Sequence, residues 1–394
     1  MLTYIAKINH FSWLQLLFIY LSFQAPCFSQ AVNAEMLISL DKQFHLLINE
    51  INTTYLFKPE PTITPNPFSD AEYYLFFNDL ARCEAILKQG TVTDTTKFSD
   101  YLNMMTGLIY FKKRDYKQAD SYFNKINTRS NLFIDSILNR ARSLLKLNQS
   151  QKAYIILSGL LQQPVHIDHS NSLNFMLGQI LMHEDKIEFA DNFFLNITID
   201  SPFSNRAIIG KTLLEIKRNN YPKAHGLVTL LINSELKDLA ADEAPLLKAY
   251  IYQHENNHMA AIVFYKKAVE YYTSGIQQQT LITNKLKSPA AIMPRKDYNY
   301  VFDLDTSSYN ISSRLPKSAL KNYQELSRLN QYIHDNFGHN SAIYKKTNLL
   351  HKNYNTAIIA AMRSAIEARK KRLNDYLDQA NFSLLKLYEI TSKS

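Results

Sequence analysis

Small and large apolar positions recur along the middle of the chain with a long, steady period. Ala119, Ala153, Ala190, Ala224 and Ala261 are 34, 37, 34 and 37 residues apart. Twelve residues before each stand Gly107, Ala141, Gly178, Thr212 and Ala249, and nine before stand Tyr110, Leu144, Leu181, Glu215 and Tyr252. Four residues after come Phe123, Leu157, Phe194, Val228 and Tyr265, and seven after come Ile126, Leu160, Ile197, Leu231 and Ala268. Small residues let two helices approach closely, and large ones fill the spaces between helix pairs. A period in this range predicts stacked helical hairpins, each burying surface only on its neighbours.

The flanks follow other patterns. Residues 35–51 place Met36, Leu37, Leu40, Phe44, Leu47 and Ile48 at helical spacing and predict an amphipathic helix. Lys58 to Pro67 holds four prolines in ten residues, which predicts an extended linker. The second helix of the last hairpin is expected to run on from Ala260 toward Lys287, past Gly275. Residues 288–316, with Pro289, Pro294 and Pro316, lose periodicity and predict an irregular connection whose aromatics (Tyr298, Tyr300, Phe302, Tyr309) pack on the array. Residues 317–337 form one helix. Residues 341–391 contain no glycine and no proline, and carry an apolar stripe from Leu350 to Leu387. One helix of about fifty residues would reach ~70 Å. Its stripe must be covered, either by helix 317–337 and the last hairpin or by a second chain. Drift from a strict seven-residue repeat favours packing within the chain.

The segment Gly107-Leu-Ile-Tyr110-Phe-Lys-Lys-Arg-Asp-Tyr116-Lys-Gln-Ala119-Asp-Ser-Tyr-Phe123 resembles a tetratricopeptide repeat (TPR), as does Ala249 to Ala268 with Tyr252, Ala261, Tyr265 and Lys267. Pro202, twelve residues past Ala190, stands where that family often ends a helix. The resemblance covers about residues 101–275. Residues 72–100 look like a degenerate unit, with Ala85 lying 34 residues before Ala119. Thr212 and Glu215 in the fourth unit, and Ser150 in the second, depart from the pattern. The resemblance implies protein–protein interaction without catalysis. The fold expected is all-α: a right-handed α-solenoid of TPR-like hairpins over residues 71–286. It follows an N-terminal helix and Pro-rich linker at 32–70. After it come the connection at 287–316 and a long C-terminal helical hairpin at 317–394.

Composition agrees. Glycine numbers only 8 and proline 12 among 394 residues, so few helix breakers are present. The formal net charge is +9, but the basic residues are scattered and no nucleic-acid interface is expected. The charge is compatible with peripheral membrane association. The densest run, Arg369-Lys-Lys-Arg372, reads as a solvated helix surface. Residues 11–23 form a short apolar block, preceded by Lys7 and followed by Ser29-Gln-Ala31, the three-part pattern of a cleavable signal peptide spanning 1–31. The block is short for a spanning helix, though retention as an N-terminal anchor is the alternative. Pro26 before Cys27 departs from lipidation signals. After cleavage Cys83 would be the one thiol of the chain, leaving no internal disulfide.

Two clusters invite a chemical reading. His254-Glu255-Asn-Asn-His258 has the spacing of a zinc hydrolase, which needs one continuous helix. The repeat phase puts Asn256 and Asn257 at a hairpin turn and so separates the two histidines. His166-Ile-Asp168-His169 is expected in the loop between the second and third units, as solvated polarity. No metal, cofactor or catalytic group is therefore expected. The first helices of a right-handed stack line its concave face. One position past the small residue stand Leu108, Arg142, Gln179, Leu213 and Tyr250, and three further on stand Phe111, Leu145, Met182, Ile216 and Gln253. The expected site is a mixed groove for a protein or peptide partner, apolar at Phe111, Met182 and Ile216 and polar at Arg142, Gln179, Lys217, Tyr250 and Gln253. The sequence reads as an exported, periplasmic scaffold or adaptor for a bacterial envelope assembly. A zinc hydrolase and a self-assembling helical structural protein are the rival readings.

Overall fold

A computed structural model describes residues 34–55, 69–89, 95–234, 238–285 and 317–392. Among them are fifteen α-helices and no strand. The export segment, the Pro-rich linker and the 288–316 connection lie outside the described residues. After α1 (Ala34–Tyr55) come six helical hairpins: α2/α3 (Ser69–Phe76, Leu80–Gln89), α4/α5 (Thr95–Lys112, Tyr116–Phe123) and α6/α7 (Phe133–Lys146, Ser150–Leu161), then α8/α9 (Ile167–His183, Ile187–Leu195), α10/α11 (Ser204–Lys217, Tyr221–Ile232) and α12/α13 (Leu239–His254, His258–Lys285). Helices α14 (Lys317–Phe337) and α15 (Ala342–Ser392) close the chain.

Each hairpin turns on one left-handed residue. Asn78, Arg114, Asn148, Asp185, Asn219 and Asn256 have φ between 56° and 65°, at spacings of 36, 34, 37, 34 and 37 residues. The next residue's N–H reaches back five positions, as from Asp115 to Tyr110 O (2.9 Å) and from Asn220 to Glu215 O (2.9 Å). That bond closes the last open carbonyls of each first helix. Asn and Asp tolerate this backbone best. The same turn at Asn78 makes α2/α3 a full sixth unit and corrects its phase. Cys83, not Ala85, lies five residues past the turn, fully buried as the five alanines are, whereas Ala85 is exposed. Ala71 takes the other small position, and the Cys83 thiol donates to its carbonyl at 3.2 Å. Burial pushes that thiol up to about 11, so Cys83 serves as a small packing residue.

Small and large residues are matched within each unit. A Cβ added at Gly107 would lie 2.5 Å from the Phe123 ring, and one at Gly178 2.6 Å from Phe194. Where the second helix offers Leu157 in place of Phe, the small position is Ala141. Phe194 also presses on Gly210 of the next unit, 2.7 Å from an added Cβ. The two departures in the fourth unit have local reasons. Thr212 donates to Ile208 O (2.8 Å). The buried Glu215 carboxylate accepts from Arg218 (2.8 Å), Lys223 (2.7 Å) and Asn220 (2.9 Å). Burial works to raise the Glu215 pKa, and these partners more than offset it.

Helix α13 runs 28 residues and α15 runs 51. The α15 stripe is covered within the chain. Its first half packs with α1 and α14 in one core containing Leu37, Phe44, Tyr323, Leu350, Tyr354 and Ile366, which also takes in Tyr73 of α2. Its second half packs on α13 through Leu373, Ala380 and Leu387. Gly275 lets the two backbones close, since a Cβ added there would lie 3.1 Å from Leu373 Cδ1. Helix α15 thus touches both ends of the array. A buried polar knot marks the first junction: Asn322 donates to Asp41 and approaches the Tyr354 hydroxyl at 3.4 Å. The basic run in α15 departs from the solvated surface that the sequence predicts. Arg369 is 8% exposed and forms two hydrogen bonds, 2.7 and 2.9 Å, to the buried Asp242 of α12.

Candidate functional site

The first-helix face divides the predicted hooks into free and committed groups. Arg142 on α6 is exposed, and its Nη1 donates to Asn139 Oδ1 at 2.8 Å, one turn earlier on the same helix. Gln179 on α8 is half-buried. Lys217 at the end of α10 binds Asp185, the left-handed turn residue of the preceding unit, at 2.6 Å. The Tyr250 hydroxyl lies 2.6 Å from His254 Nε2, and Gln253 accepts from Tyr265 at 2.8 Å. Lys217 and Gln253 are therefore committed to other elements of the array, whereas Tyr250, like Arg142, bonds within its own helix. Arg142 and Gln179 remain on the face with no partner outside their own helix among the described residues. Met182 and Ile216 are each 8% exposed and form apolar floor, while Phe111 is half-buried against Tyr116 (5.2 Å).

Three further residues lie beside the face, two of them rings packed into the core of the array. Phe175 on α8 and Phe203, just before α10, place their ring centroids 5.3 Å apart. The Arg206 guanidinium sits over both, 5.2 Å from Phe175 and 4.8 Å from Phe203. Desolvation lowers the pKa of Arg206, Asp238 opposes that shift, and the Arg142 charge adds to it. The two cations therefore feel one another across α8. Phe175 and Arg206 lie one and two turns before the positions read as groove-facing, so extending the same helical stripe toward the N-terminus of each first helix would have found them.

Helix α15 covers the first-helix face of the last unit. Arg369 pairs with Asp242 there, and Glu243 beside it is 3% exposed with neither carboxylate oxygen hydrogen-bonded among the described residues. Burial pushes Glu243 up to about 8. The open part of the face therefore runs from α4 to α10.

The two histidine clusters resolve plainly. His254 ends α12, Asn256 is the left-handed turn residue and His258 begins α13, so His254 and His258 stand on separate helices. Glu255 pairs with His225 of the preceding unit at 3.2 Å. His166 precedes α8, whereas residues 168 and 169 fall inside its first turn and not in a loop. Among the described residues no group of three metal-binding side chains comes together.

No protein-family model and no curated protein matches the chain in sequence. Solved structures similar to it are distant. YrrB, described as a TPR protein with an unusual peptide-binding site, is 16% identical with a TM-score of 0.32, over 55% of this chain and 95% of YrrB. The apo form of RapI is 13% identical with a TM-score of 0.43, over 80% and 97% of the two chains. Cut9–Hcn1 of the APC/C is 12% identical with a TM-score of 0.39, over 82% and 54%. Such likenesses are too remote to carry an argument, and the repeat is established by the chain's own geometry: six hairpins in phase, each with a left-handed turn and a buried small residue five positions on. On that geometry the chain is a TPR-like helical repeat protein.

Proposed function

We propose that the chain is a non-catalytic scaffold or adaptor that binds an extended segment of a protein partner along the concave face of its first helices, from α4 to α10. One observation carries this reading. Arg142 and Gln179 stand on that face with no partner outside their own helices among the described residues, unlike Lys217 and Gln253. A rigid, prepared surface of this kind costs little order on binding, because only the ligand is fixed. An exported setting, read from the apolar segment before Val32, and a periplasmic role in an envelope assembly are part of the same proposal. No helix among the described residues is long and apolar enough to cross a membrane.

A random peptide library selected against the full chain tests the reading. Peptides so obtained should lose binding to Gln179→Trp, which fills the groove, and keep it with Ile155→Arg on the exposed outer surface of α7. Loss in the second variant alone would place binding on the outer face and end the proposal.

A further inference from the structure

We infer that His334 and His339, where α14 turns into α15, form a two-imidazole site for a divalent transition metal of square-planar or tetragonal preference, Cu(II) foremost. The site lies outside the groove, and it stands or falls independently of the groove reading.

Two histidines five residues apart do not share a face of one continuous helix. A left-handed residue brings these two together. Helix α14 ends at Phe337, and Gly338 follows with φ 73°. Its N–H reaches back to His334 O at 3.1 Å, and the Ser341 hydroxyl donates to Gly338 O at 3.0 Å. These bonds close the helix end and reverse the chain, which returns His339 to the last turn of α14. His334 Nε2 and His339 Nε2 then stand 3.0 Å apart. The ring centroids are 4.1 Å apart with the planes at 74°. Rings meeting end to end would be farther apart, so the two nitrogens meet at an angle and not in line. The Tyr344 ring flanks both histidines, at 5.6 and 5.5 Å.

Asp335 sets the tautomer. His334 Nδ1 lies 2.9 Å from Asp335 Oδ1, and Gln331 Nε2 donates to both oxygens of that carboxylate at 3.0 Å. An ionised carboxylate only accepts, so His334 Nδ1 carries the proton and Nε2 presents its lone pair to His339. Metal-binding histidines are oriented by this same arrangement. Without metal, a proton on His339 Nε2 bridges the two nitrogens. A metal replaces that proton, which leaves to solvent. With bonds of about 2.0–2.1 Å to each nitrogen, the metal would see them at an angle of about 95°. That is near the right angle of tetragonal Cu(II) or Ni(II) and narrower than the tetrahedral angle of zinc. Of these ions Cu(II) binds nitrogen sites most tightly. His339 is exposed and His334 half-buried, which leaves the remaining positions of the metal to water. Asp335 faces Nδ1 and orients the ring without being a ligand. A metal here ties the last turn of α14 to the turn before α15, two helices that share one core with α1.

Titration of the full chain, free of any affinity tag, with Cu(II) at neutral pH decides the matter. Calorimetry should give one tightest site per chain, and electron paramagnetic resonance of the bound ion should show two imidazole nitrogens. His334→Gln and His339→Gln should each weaken that site roughly tenfold or more, with unchanged melting temperature when no metal is added. Asp335→Asn keeps both ligands and should still weaken the site roughly tenfold, because the carboxylate orients the ring. His166→Gln with His169→Gln, the histidine pair at the start of α8, should leave it intact. Cu(II) should raise the melting temperature of the wild-type chain and not that of His339→Gln. Binding that both His334→Gln and His339→Gln retain, a bound ion with fewer than two imidazole nitrogens, or equal loss in the His166→Gln/His169→Gln chain would overturn the inference. So would a wild-type chain that binds Cu(II) no more tightly than the His334→Gln/His339→Gln double variant, which would leave the pair joined by a proton alone.

Discussion

Alanine at Gly178 should destabilise the array, although the same exchange in an open helix stabilises. The added Cβ would lie 2.6 Å from Phe194 Cε1, 2.8 Å from Cδ1 and 3.0 Å from Cζ, where ordinary contact begins at 3.4 Å. The ring cannot retreat freely. Phe194 is 2% exposed, and its other edge lies 2.7 Å from a Cβ position on Gly210. Overpacking of this kind costs about 1–3 kcal/mol, and the better helix propensity of alanine returns about 1 kcal/mol. The net expectation is a loss of about 1 kcal/mol or more. Gly159 and Gly226 provide the contrast, since nothing lies within 4 Å of either Cβ position. Alanine there should stabilise by about 0.5–1 kcal/mol. Urea unfolding followed by far-ultraviolet circular dichroism reads all three, with the midpoint compared at equal slope. Phe194→Leu in the Gly178→Ala background should recover part of the loss, because Ala141 with Leu157 is the pairing the second unit already uses. A Gly178→Ala protein as stable as Gly226→Ala would refute the packing argument.

Three further outcomes follow. Glu243 has its ordinary value of 4.5 when unfolded and about 8 when folded, so the folded state holds the proton longer. Its stability contribution is full below pH 4.5 and falls by ~1.4 kcal/mol per pH unit until about 8, with no further loss above; Glu243→Gln should flatten that window in urea titrations, and an unchanged profile would count against the buried carboxyl. Arg369→Met leaves Asp242 buried without its partner and should cost about 3–5 kcal/mol, whereas Asp242→Leu with Arg369→Met should recover most of it; limited proteolysis within α15 would report the loosened contact, and equal digestion of both variants would argue against it. Sequencing of the native N-terminus should begin at Val32 if Ser29-Gln-Ala31 is cleaved, and a start at Met1 would favour an anchor.

Much of the array was legible because its packing is local. A hairpin buries Ala119 or Ala190 against residues within the same forty, so period and phase appear directly in the sequence. The sixth hairpin was harder to read. Its small residue is Cys83 and its turn residue Asn78, and the alanine pattern pointed two positions away at Ala85. The left-handed turn residues, four of them Asn, carried the better signal. What period could not reveal is contact between distant segments. Nothing local in Asp41 or Tyr354 tells of Asn322, and the run at Arg369 looks solvated until Asp242 lies opposite. The candidate site meets the same limit: Lys217 and Gln253 were expected on the open face, but their partners Asp185 and Tyr265 come from other helices or turns.

The claim of a peptide-binding groove is tested most directly by photo-crosslinking from within it. A benzophenone amino acid placed at Gln179, with the same group at Ile155 as the outer-surface counterpart, is irradiated with a library-selected peptide. The account predicts crosslinks from position 179 that are lost on competition with unlabelled peptide, and none from position 155. Crosslinks from position 155 alone would contradict it, and would move the binding surface to the second helices of the array.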